Sequence, residues 1–341
     1  TDPPLTEQAL ETAAVPLGLG MFAVLRHAAD REDLLERQSR RTGERQSVAR
    51  SLVLARHERL PRDVYAENAE LLDDFWAQVV ALGRPPKPDE YDRLGEIRRA
   101  CGSIKAGMRL LLERYGEEAL EGARQRRRED LLVYLALAKF GQRRIAFGQL
   151  SLRLRRAIDS LFGSYGDATR EANDLLFQAG KADIVEAAAR ELDYGWFEPE
   201  PGHFTFHRSL LDSLPALLRV YVGCASQLYG DVREADLIKI HLRSQKLTCM
   251  FYESFERRRF PRQLLRVKID FGRLSVCEYP ARPEPDRTVL LFKERFVSPN
   301  HPARNRMAAV SAKLRRLGFS ESDYPYGIPE REFGDIEVLF R

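Results

Sequence analysis

The sequence predicts an α+β protein, and two patterns carry this prediction. From residue 63 to 195, apolar residues recur at three- and four-residue spacing between glycines, which is typical of consecutive amphipathic helices. After residue 196, β-branched residues alternate with polar residues in short runs, which indicates strands of a mainly antiparallel sheet. We therefore predict an all-α domain over 63–195 and an α+β domain over 196–341.

The first 62 residues show neither pattern for long. Residues 16–26 form an apolar run that predicts one buried strand. A single strand needs partners, so we expect residues 1–30 to be the last strand of a sheet encoded upstream. Residues 31–62 contain nine arginines and five acidic residues, which predicts a basic linker or an exposed helix.

Composition excludes several classes of protein. The 341 residues are 31% charged and contain no run of about 18 apolar residues, so we expect no membrane span. The four cysteines are far apart and have no CxxC spacing, which argues against a structural zinc site or a disulfide framework. This cysteine usage predicts a cytoplasmic protein.

The net charge is only +4, but 46 of the 55 basic residues are arginine. A GC-rich genome would produce the same excess. Guanidinium groups nevertheless suit phosphates and base edges. Residues 31–62 and 232–273 are the two basic stretches, and they indicate a polyanionic partner.

An internal repeat lies in the helical region, over residues 83–115 and 141–180. Each copy has a basic opening, a helix, a Gly-Ser turn (Gly102-Ser103 and Gly163-Ser164) and a second helix. The glycine permits a positive φ and the serine can cap the next helix. This layout predicts a helix-turn-helix that binds DNA, and it is similar to small helical repeats appended to some homing endonucleases. The alternative is that these turns only join helices in a bundle.

The predicted DNA-binding residues come from the repeat and from one strand. In the strand at 238–243, Lys239, His241 and Arg243 share one face, with Lys246 across the turn. A solvated sheet face explains this pattern equally well. The full predicted set is Arg84, Lys87, Arg98, Arg99, Ser103, Lys105, Arg109, Arg143, Arg144, Lys239, His241, Arg243 and Lys246.

Catalytic and metal-binding residues are not predicted. His203 and His207 are four apart, but their segment alternates like a strand and has no third ligand nearby. Lys293 and Glu294 follow an apolar run, as in some nuclease strands, but their order is opposite to the usual E-x-K. A nuclease-like domain is a further alternative.

Long blocks of the chain resemble the DNA phosphorothioation-associated methyltransferase-like family. The blocks lie at residues 15–26, 129–142, 161–177, 209–229, 235–256, 264–279 and 290–302. The resemblance spans nearly all of the chain. It implies that residues 15–26 are the last strand of a Rossmann-like methyltransferase sheet.

The resemblance also implies an upstream domain that binds S-adenosylmethionine through a Gly-rich loop. This chain has no such loop, because the GLG at 18–20 lies inside the predicted strand. We therefore expect no cofactor in this chain and no methyl transfer by it alone. The implied function is the C-terminal, DNA-binding and targeting part of a DNA modification protein, with DNA as partner. The alternative is a scaffold that holds subunits of the phosphorothioation or restriction system together.

Overall fold

A computed structural model describes residues 63–141 and 145–340. The predicted strand at 16–26, the predicted linker at 31–62, Arg143 and Arg144 lie outside these residues. The chain divides into two units. Among the described residues, one unit contains 63–75 together with Asp92–Leu111, and the other contains Trp76–Tyr91, 112–141 and 145–340.

The middle of the chain is helical, as the apolar spacing predicts. None of the described helices is long and apolar enough to cross a membrane. Eight α-helices precede the first strand in the described residues: α1 (Val64–Glu67), α2 (Ala69–Leu82), α3 (Leu94–Cys101), α4 (Ile104–Tyr115), α5 (Glu117–Phe140), α6 (Leu152–Phe162), α7 (Tyr165–Ala179) and α8 (Ala182–Arg190).

Two helix pairs, α3–α4 and α6–α7, have the same turn. Gly102 and Gly163 end the first helix of each pair with φ of 80° and 79°. Such positive φ values favour glycine because a Cβ would crowd the backbone. Ser103 Oγ then accepts the N–H of Ala106 at 3.0 Å, and Ser164 Oγ accepts the N–H of Asp167 at 3.0 Å. The conformation and cap expected from the Gly-Ser sequence are present in both pairs.

The C-terminal part contains a six-stranded antiparallel sheet in the order β1-β2-β3-β4-β5-β6. Each strand pairs with the one that follows it in the chain, which is typical of antiparallel strands. The strands are β1 (Trp196–Glu198), β2 (His203–His207), β3 (Leu237–His241), β4 (Lys246–Tyr252), β5 (Gln263–Asp270) and β6 (Ser275–Pro280). The predicted α+β class, with an antiparallel sheet, is confirmed.

Further elements flank this sheet. Helix α9 (Ala216–Tyr229) lies between β2 and β3 in the chain. A two-stranded sheet of β7 (Thr288–Val289) and β8 (Ile328–Pro329) is accompanied by α10 (Arg304–Arg316) and α11 (Glu330–Leu339).

Two elements differ from the sequence prediction. The apolar spacing of residues 209–229 predicts one helix, but Pro215 separates a 3-10 turn at Arg208–Ser213 from α9. Proline lacks the N–H that a continuous helix needs. The apolar run that begins at residue 288 predicts a longer strand, but β7 stops at Val289, and the residues that follow form a loop and a 3-10 turn at Glu294–Phe296. Lys293 and Glu294 therefore do not lie on a sheet.

The main core crosses residue 195, where the sequence predicts a domain boundary. One face of the sheet carries apolar residues that belong to the same buried cluster as helices α5, α6, α7 and α9. Members from the helices include Ile158, Ala168 and Leu218, and members from the sheet include Phe204 and Ile238. Helices and sheet therefore stabilise each other within the larger unit.

Candidate nucleic-acid interface

The helix pair α3–α4 presents a basic surface. Arg98 and Arg99 near the end of α3 are exposed, as are Lys105 and Arg109 on α4. The other face of α3 buries Ile97. Because Lys105 and Arg109 are four residues apart, they lie on the same face of α4. The helix pair thus has a basic outer face and an apolar inner face.

The two helices of this pair approach closely at Gly107. A Cβ on Gly107 would lie 3.1 Å from Cγ2 of Ile97 and 3.5 Å from Sγ of Cys101. Met108 and Leu111 on α4 are also buried. This packing fixes α4 against α3 and thereby fixes the positions from which the basic side chains project.

Arg84 is not available to DNA, in contrast to the sequence prediction. Its side chain is only 8% exposed, and Nη1 and Nη2 donate to the two carboxylate oxygens of Glu90 at 2.8 and 2.6 Å. These bonds lower the pKa of Glu90 to about 2. The neighbouring Lys87 is exposed. The basic opening of the first copy is thus mainly a structural ion pair.

Two arginines of the second helix pair, α6–α7, are paired with carboxylates. Arg156 Nη1 donates to both oxygens of Asp89 at 2.7 Å, and Arg170 forms an ion pair with Asp167. In contrast, among the described residues no carboxylate is within ion-pair distance of Arg98, Arg99 or Lys105. The two pairs therefore differ in the charge that they offer to a partner.

The predicted basic side chains of β3 and the turn after it are partly buried or paired with carboxylates. Lys239 is partly buried with its ammonium 3.8 Å from the ring centre of Tyr326, and burial lowers its pKa to about 8. Arg243 lies beyond the end of the strand and pairs with Glu200 at 3.0 Å, while Lys246 pairs with Asp270 at 3.2 Å. These interactions contradict the continuous basic surface that alternation alone predicts.

His241 belongs to a hydrogen-bonded chain on the same sheet face. His203 Nδ1 lies 3.3 Å from the Glu198 carboxylate, His241 Nδ1 lies 3.0 Å from His203 Nε2, and Thr248 Oγ1 lies 2.8 Å from His241 Nε2. If both neutral rings carry their proton on Nδ1, His203 donates to Glu198, His241 donates to His203, and Thr248 donates to His241. Every ring nitrogen then has a hydrogen-bond partner. Burial, followed by the charge of Lys239, lowers the pKa of His241 to about 3. His241 is therefore neutral at pH 7 and adds no positive charge for DNA.

One group of side chains has the composition of a metal site. Nitrogens of His207 and His301 and a carboxylate oxygen of Glu256 lie within 4.8 Å of one another. However, Nδ1 of each ring accepts the main-chain N–H two residues later, at 3.2 Å, so a neutral ring at either position carries its proton on Nε2. Burial lowers the pKa of His207 to about 3, and the positive charges of Arg208 and Lys293 act in the same direction. These features oppose a cation at this place.

A basic cavity lies at the C-terminal end of the larger unit. It has a volume of about 440 Å³ and is lined by Arg257, Arg258, Arg259, Lys293, Arg306, Met307, Ala309, Val310, Lys313 and Phe340. None of these lining residues is acidic. The cavity was not predicted from the sequence, because its cations come from distant parts of the chain. The run Arg257-Arg258-Arg259 is the one local signal of it among these lining residues.

Comparison with known proteins provides no independent identification. No protein-family model matches this chain, and neither does any curated protein or solved structure.

Proposed function

We propose that this chain is a DNA-binding and targeting part of a DNA phosphorothioation-associated modification system, and that helix pair α3–α4 contacts duplex DNA as a helix-turn-helix. The observation that carries this proposal is the exposed basic surface on both sides of a serine-capped turn. Arg98 and Arg99 precede this turn, and Lys105 and Arg109 follow it. The family resemblance of the sequence supports the same assignment.

The physical basis is attraction of phosphates by several exposed cations on a fixed scaffold. Each neutralised phosphate releases counterions, so affinity gains most at low salt. The second helix of such a motif can enter the major groove with its N-terminal residues near the base edges. Lys105 is at the N-terminal end of α4 and Arg109 is one turn further along.

The test is duplex binding measured by fluorescence anisotropy at several salt concentrations between about 50 and 200 mM. We expect a steep decrease of affinity with salt. Lys105→Ala combined with Arg109→Ala should weaken duplex binding. The expected loss is about 1–3 kcal/mol for each of the two residues that reads a base. Lys239→Ala combined with Arg243→Ala is the rival pair, and it should leave affinity nearly unchanged.

Thermal melting separates an effect on DNA binding from an effect on folding. Lys239 packs on Tyr326 and Arg243 pairs with Glu200, so the rival pair should lower the melting temperature while binding is retained. No duplex binding at the lowest salt would contradict the proposal. Loss of binding in the rival pair alone would contradict the assignment to α3–α4.

A second candidate function is a protein-interaction scaffold, and one surface feature favours it. A largely apolar groove of about 300 Å³ lies beside α7 and α9 in the larger unit. Phe177 on its rim is 73% exposed, which is unusual for such a large apolar side chain. Its lining also includes Phe140, Leu176, Tyr221, Cys224 and Phe271. Phe177→Asp should then abolish co-purification with another subunit of the system and leave duplex binding intact.

A further inference from the structure

We propose that the basic cavity between α10 and the loop after β4 binds a nucleotide, with its phosphates on the cations and its base on the apolar wall. This binding site is separate from the duplex-binding surface proposed above. All of its lining residues belong to the larger unit, whereas Arg98, Arg99, Lys105 and Arg109 belong to the smaller one.

The cavity gathers cations from separate segments of the chain. Arg257, Arg258 and Arg259 lie in the loop between β4 and β5, and Lys293 precedes a 3-10 turn. Arg306 and Lys313 are seven residues apart on α10, so they project from one face of that helix. Six cations around one cavity generate a strongly positive potential, and low-dielectric walls strengthen it.

Main-chain carbonyl oxygens hold most of these cations in place. Lys293 Nζ donates to the carbonyls of Phe255 and Arg258, both at 2.6 Å. Three further carbonyl contacts, also at 2.6 Å, join Arg306 to Glu256, Arg259 to Phe340, and Lys313 to Leu339. A carbonyl orients a cation but does not cancel its formal charge.

Carboxylates compensate little of this charge. Among the lining cations in the described part of the chain, Arg258 forms the one ion pair, with Glu253 at 2.6 Å. The pKa of Lys293 is lowered to about 8, first by burial and then by the charge of Arg306, while Glu256 and Asp236 act in the opposite direction. Lys293 is therefore a buried ammonium in a region of excess positive charge, where a bound anion would be stabilised.

The rest of the lining is apolar, which favours a ligand that has an apolar or aromatic part as well as phosphates. Met307, Ala309, Val310 and Phe340 form an apolar part of the wall. The ammonium of Lys313 lies 4.5 Å from the centre of the Phe340 ring, and Arg259 lies 5.5 Å from it. The volume of about 440 Å³ is within the range of small-molecule sites. Phosphates together with a planar base match this combination of cations and apolar surface.

The experiment is calorimetric titration of the full chain with pyrophosphate, AMP, ADP and adenosine. We expect ADP to bind at least about tenfold more tightly than pyrophosphate, because the base adds interactions with the apolar wall. Adenosine should bind at least about tenfold more weakly than ADP, because hydrogen bonds to phosphate are charge-assisted. Equal affinity for pyrophosphate and ADP would overturn the nucleotide assignment, and binding of adenosine as tight as that of ADP would overturn the role of the cations.

Two variants on α10 test the location. Arg306→Ala combined with Lys313→Ala should reduce ADP affinity at least about tenfold, since both residues line the cavity. Arg316→Ala is the matched control, because Arg316 is exposed on the same helix and outside the cavity. Lys313→Glu, at an exposed position, provides a second variant that keeps a long side chain. Unchanged ADP affinity in these folded cavity variants would overturn the proposal.

Duplex binding distinguishes this proposal from the proposed function. Lys105→Ala combined with Arg109→Ala should retain ADP binding, and the α10 variants should retain duplex binding. If the α10 variants lose duplex binding while ADP fails to bind wild-type protein, the cavity is a DNA surface and the nucleotide proposal is wrong.

Discussion

Helix pairs α3–α4 and α6–α7 are built in the same way but differ in their surfaces. Aligned at the Gly-Ser turn, Ile97 and Ile158 occupy equivalent buried positions, and both are at most 1% exposed. Gly107 and Ala168 are equivalent buried small residues on the second helix. The apolar faces are thus under the same packing constraint, which the shared turn geometry reflects.

The outward positions differ much more. Where α3–α4 has Arg98, Arg99 and Lys105, α6–α7 has Asp159, Ser160 and Gly166. At the fourth equivalent position both pairs have an arginine, Arg109 and Arg170. Arg170 forms an ion pair with Asp167. Exposed positions are not constrained by packing, so one scaffold can carry either a basic surface or a neutral one. The second pair instead contributes Ile158, Ala168 and Ala172 to the main core.

The largest expected effect concerns the ion pair in the basic opening of the first copy. Arg84→Met should destabilise the larger unit by about 3 kcal/mol, because it leaves a buried carboxylate without its main partner. Arg156 lies 3.8 Å from Glu90 and remains as a second partner for the carboxylate. We therefore expect a loss at the low end of the range usual for a broken buried ion pair. Lys87→Met is the control at an exposed position and should change the stability by less than about 0.5 kcal/mol. Chemical denaturation measures both variants, and equal effects would show that Arg84 is not structural.

The same pair predicts a pH dependence with a definite sign. The pKa of Glu90 falls from 4.5 to about 2 in the folded protein, mainly through its bond to Arg84. A lowered folded pKa means that the stabilisation is complete above pH 4.5 and is lost as the pH falls toward 2. The free energy of unfolding should therefore decrease more steeply over this range for wild type than for Glu90→Gln, as measured by denaturation at each pH. A Glu90→Gln curve with the wild-type slope would contradict this explanation.

The next effect tests the difference in surface charge. Arg98→Ala combined with Arg99→Ala should weaken duplex binding and reduce the salt slope by about 0.9 for each phosphate that is no longer neutralised. Arg170→Ala on the second pair is the matched control and should have no effect on the slope. Anisotropy titrations at several salt concentrations provide both quantities. If Arg170→Ala lowers the slope as much, the two surfaces are functionally equivalent.

A smaller effect is expected from the caps, which the two pairs share. Ser103→Ala and Ser164→Ala should each cost about 0.5–2 kcal/mol, since each removes an acceptor for a helix N-terminal N–H. Ser164→Ala should be the more destabilising, because the Ser164 hydroxyl also donates to the Asp167 carboxylate at 2.7 Å. Thermal melting of the two single variants tests this order. The reverse order would mean that the additional bond contributes nothing.

The smallest effect is a gain of function in the second pair. Asp159→Arg combined with Gly166→Lys copies the charge of α3–α4 onto exposed positions of α6–α7. Duplex affinity should improve by less than about 1 kcal/mol, because exposed charges are screened by salt. Asp159→Ser combined with Gly166→Ala is the neutral control. A gain in the control as large as in the basic variant would exclude charge as the cause.

Elements were predictable where a local pattern was sufficient. The helices from 94 to 190 follow apolar spacing and glycine positions, and the turn between β5 and β6 follows Asp270-Phe271-Gly272-Arg273. The strand predicted from residue 288 onward was not predicted correctly, because its apolar residues lie in a loop that is itself buried. Leu290, Leu291 and Phe292 are all at most 1% exposed without belonging to a strand. Burial from all sides removes the alternation that identifies a strand.

Candidate site residues were predictable only as residue types. Arg98, Arg99 and Lys105 are exposed as expected, whereas Arg84 and Lys239 have the same basic character and are buried or covered. Nothing local separates these cases, because the partners Glu90 and Tyr326 are identified only by folding. The basic cavity was missed for the same reason, since its cations lie between Arg257 and Lys313 in the chain.

The sequence by itself determined the fold class, the order of the helices and the two serine-capped turns, because these depend on spacing and on the backbone preferences of glycine and serine. Tertiary structure decided which cations remain available to a partner. It paired Arg84 with Glu90 and Arg243 with Glu200, and it placed Lys293 beside Arg306 in one cavity. The physical reason is that electrostatic interactions depend on distance and burial in space, and neither quantity is encoded in local sequence.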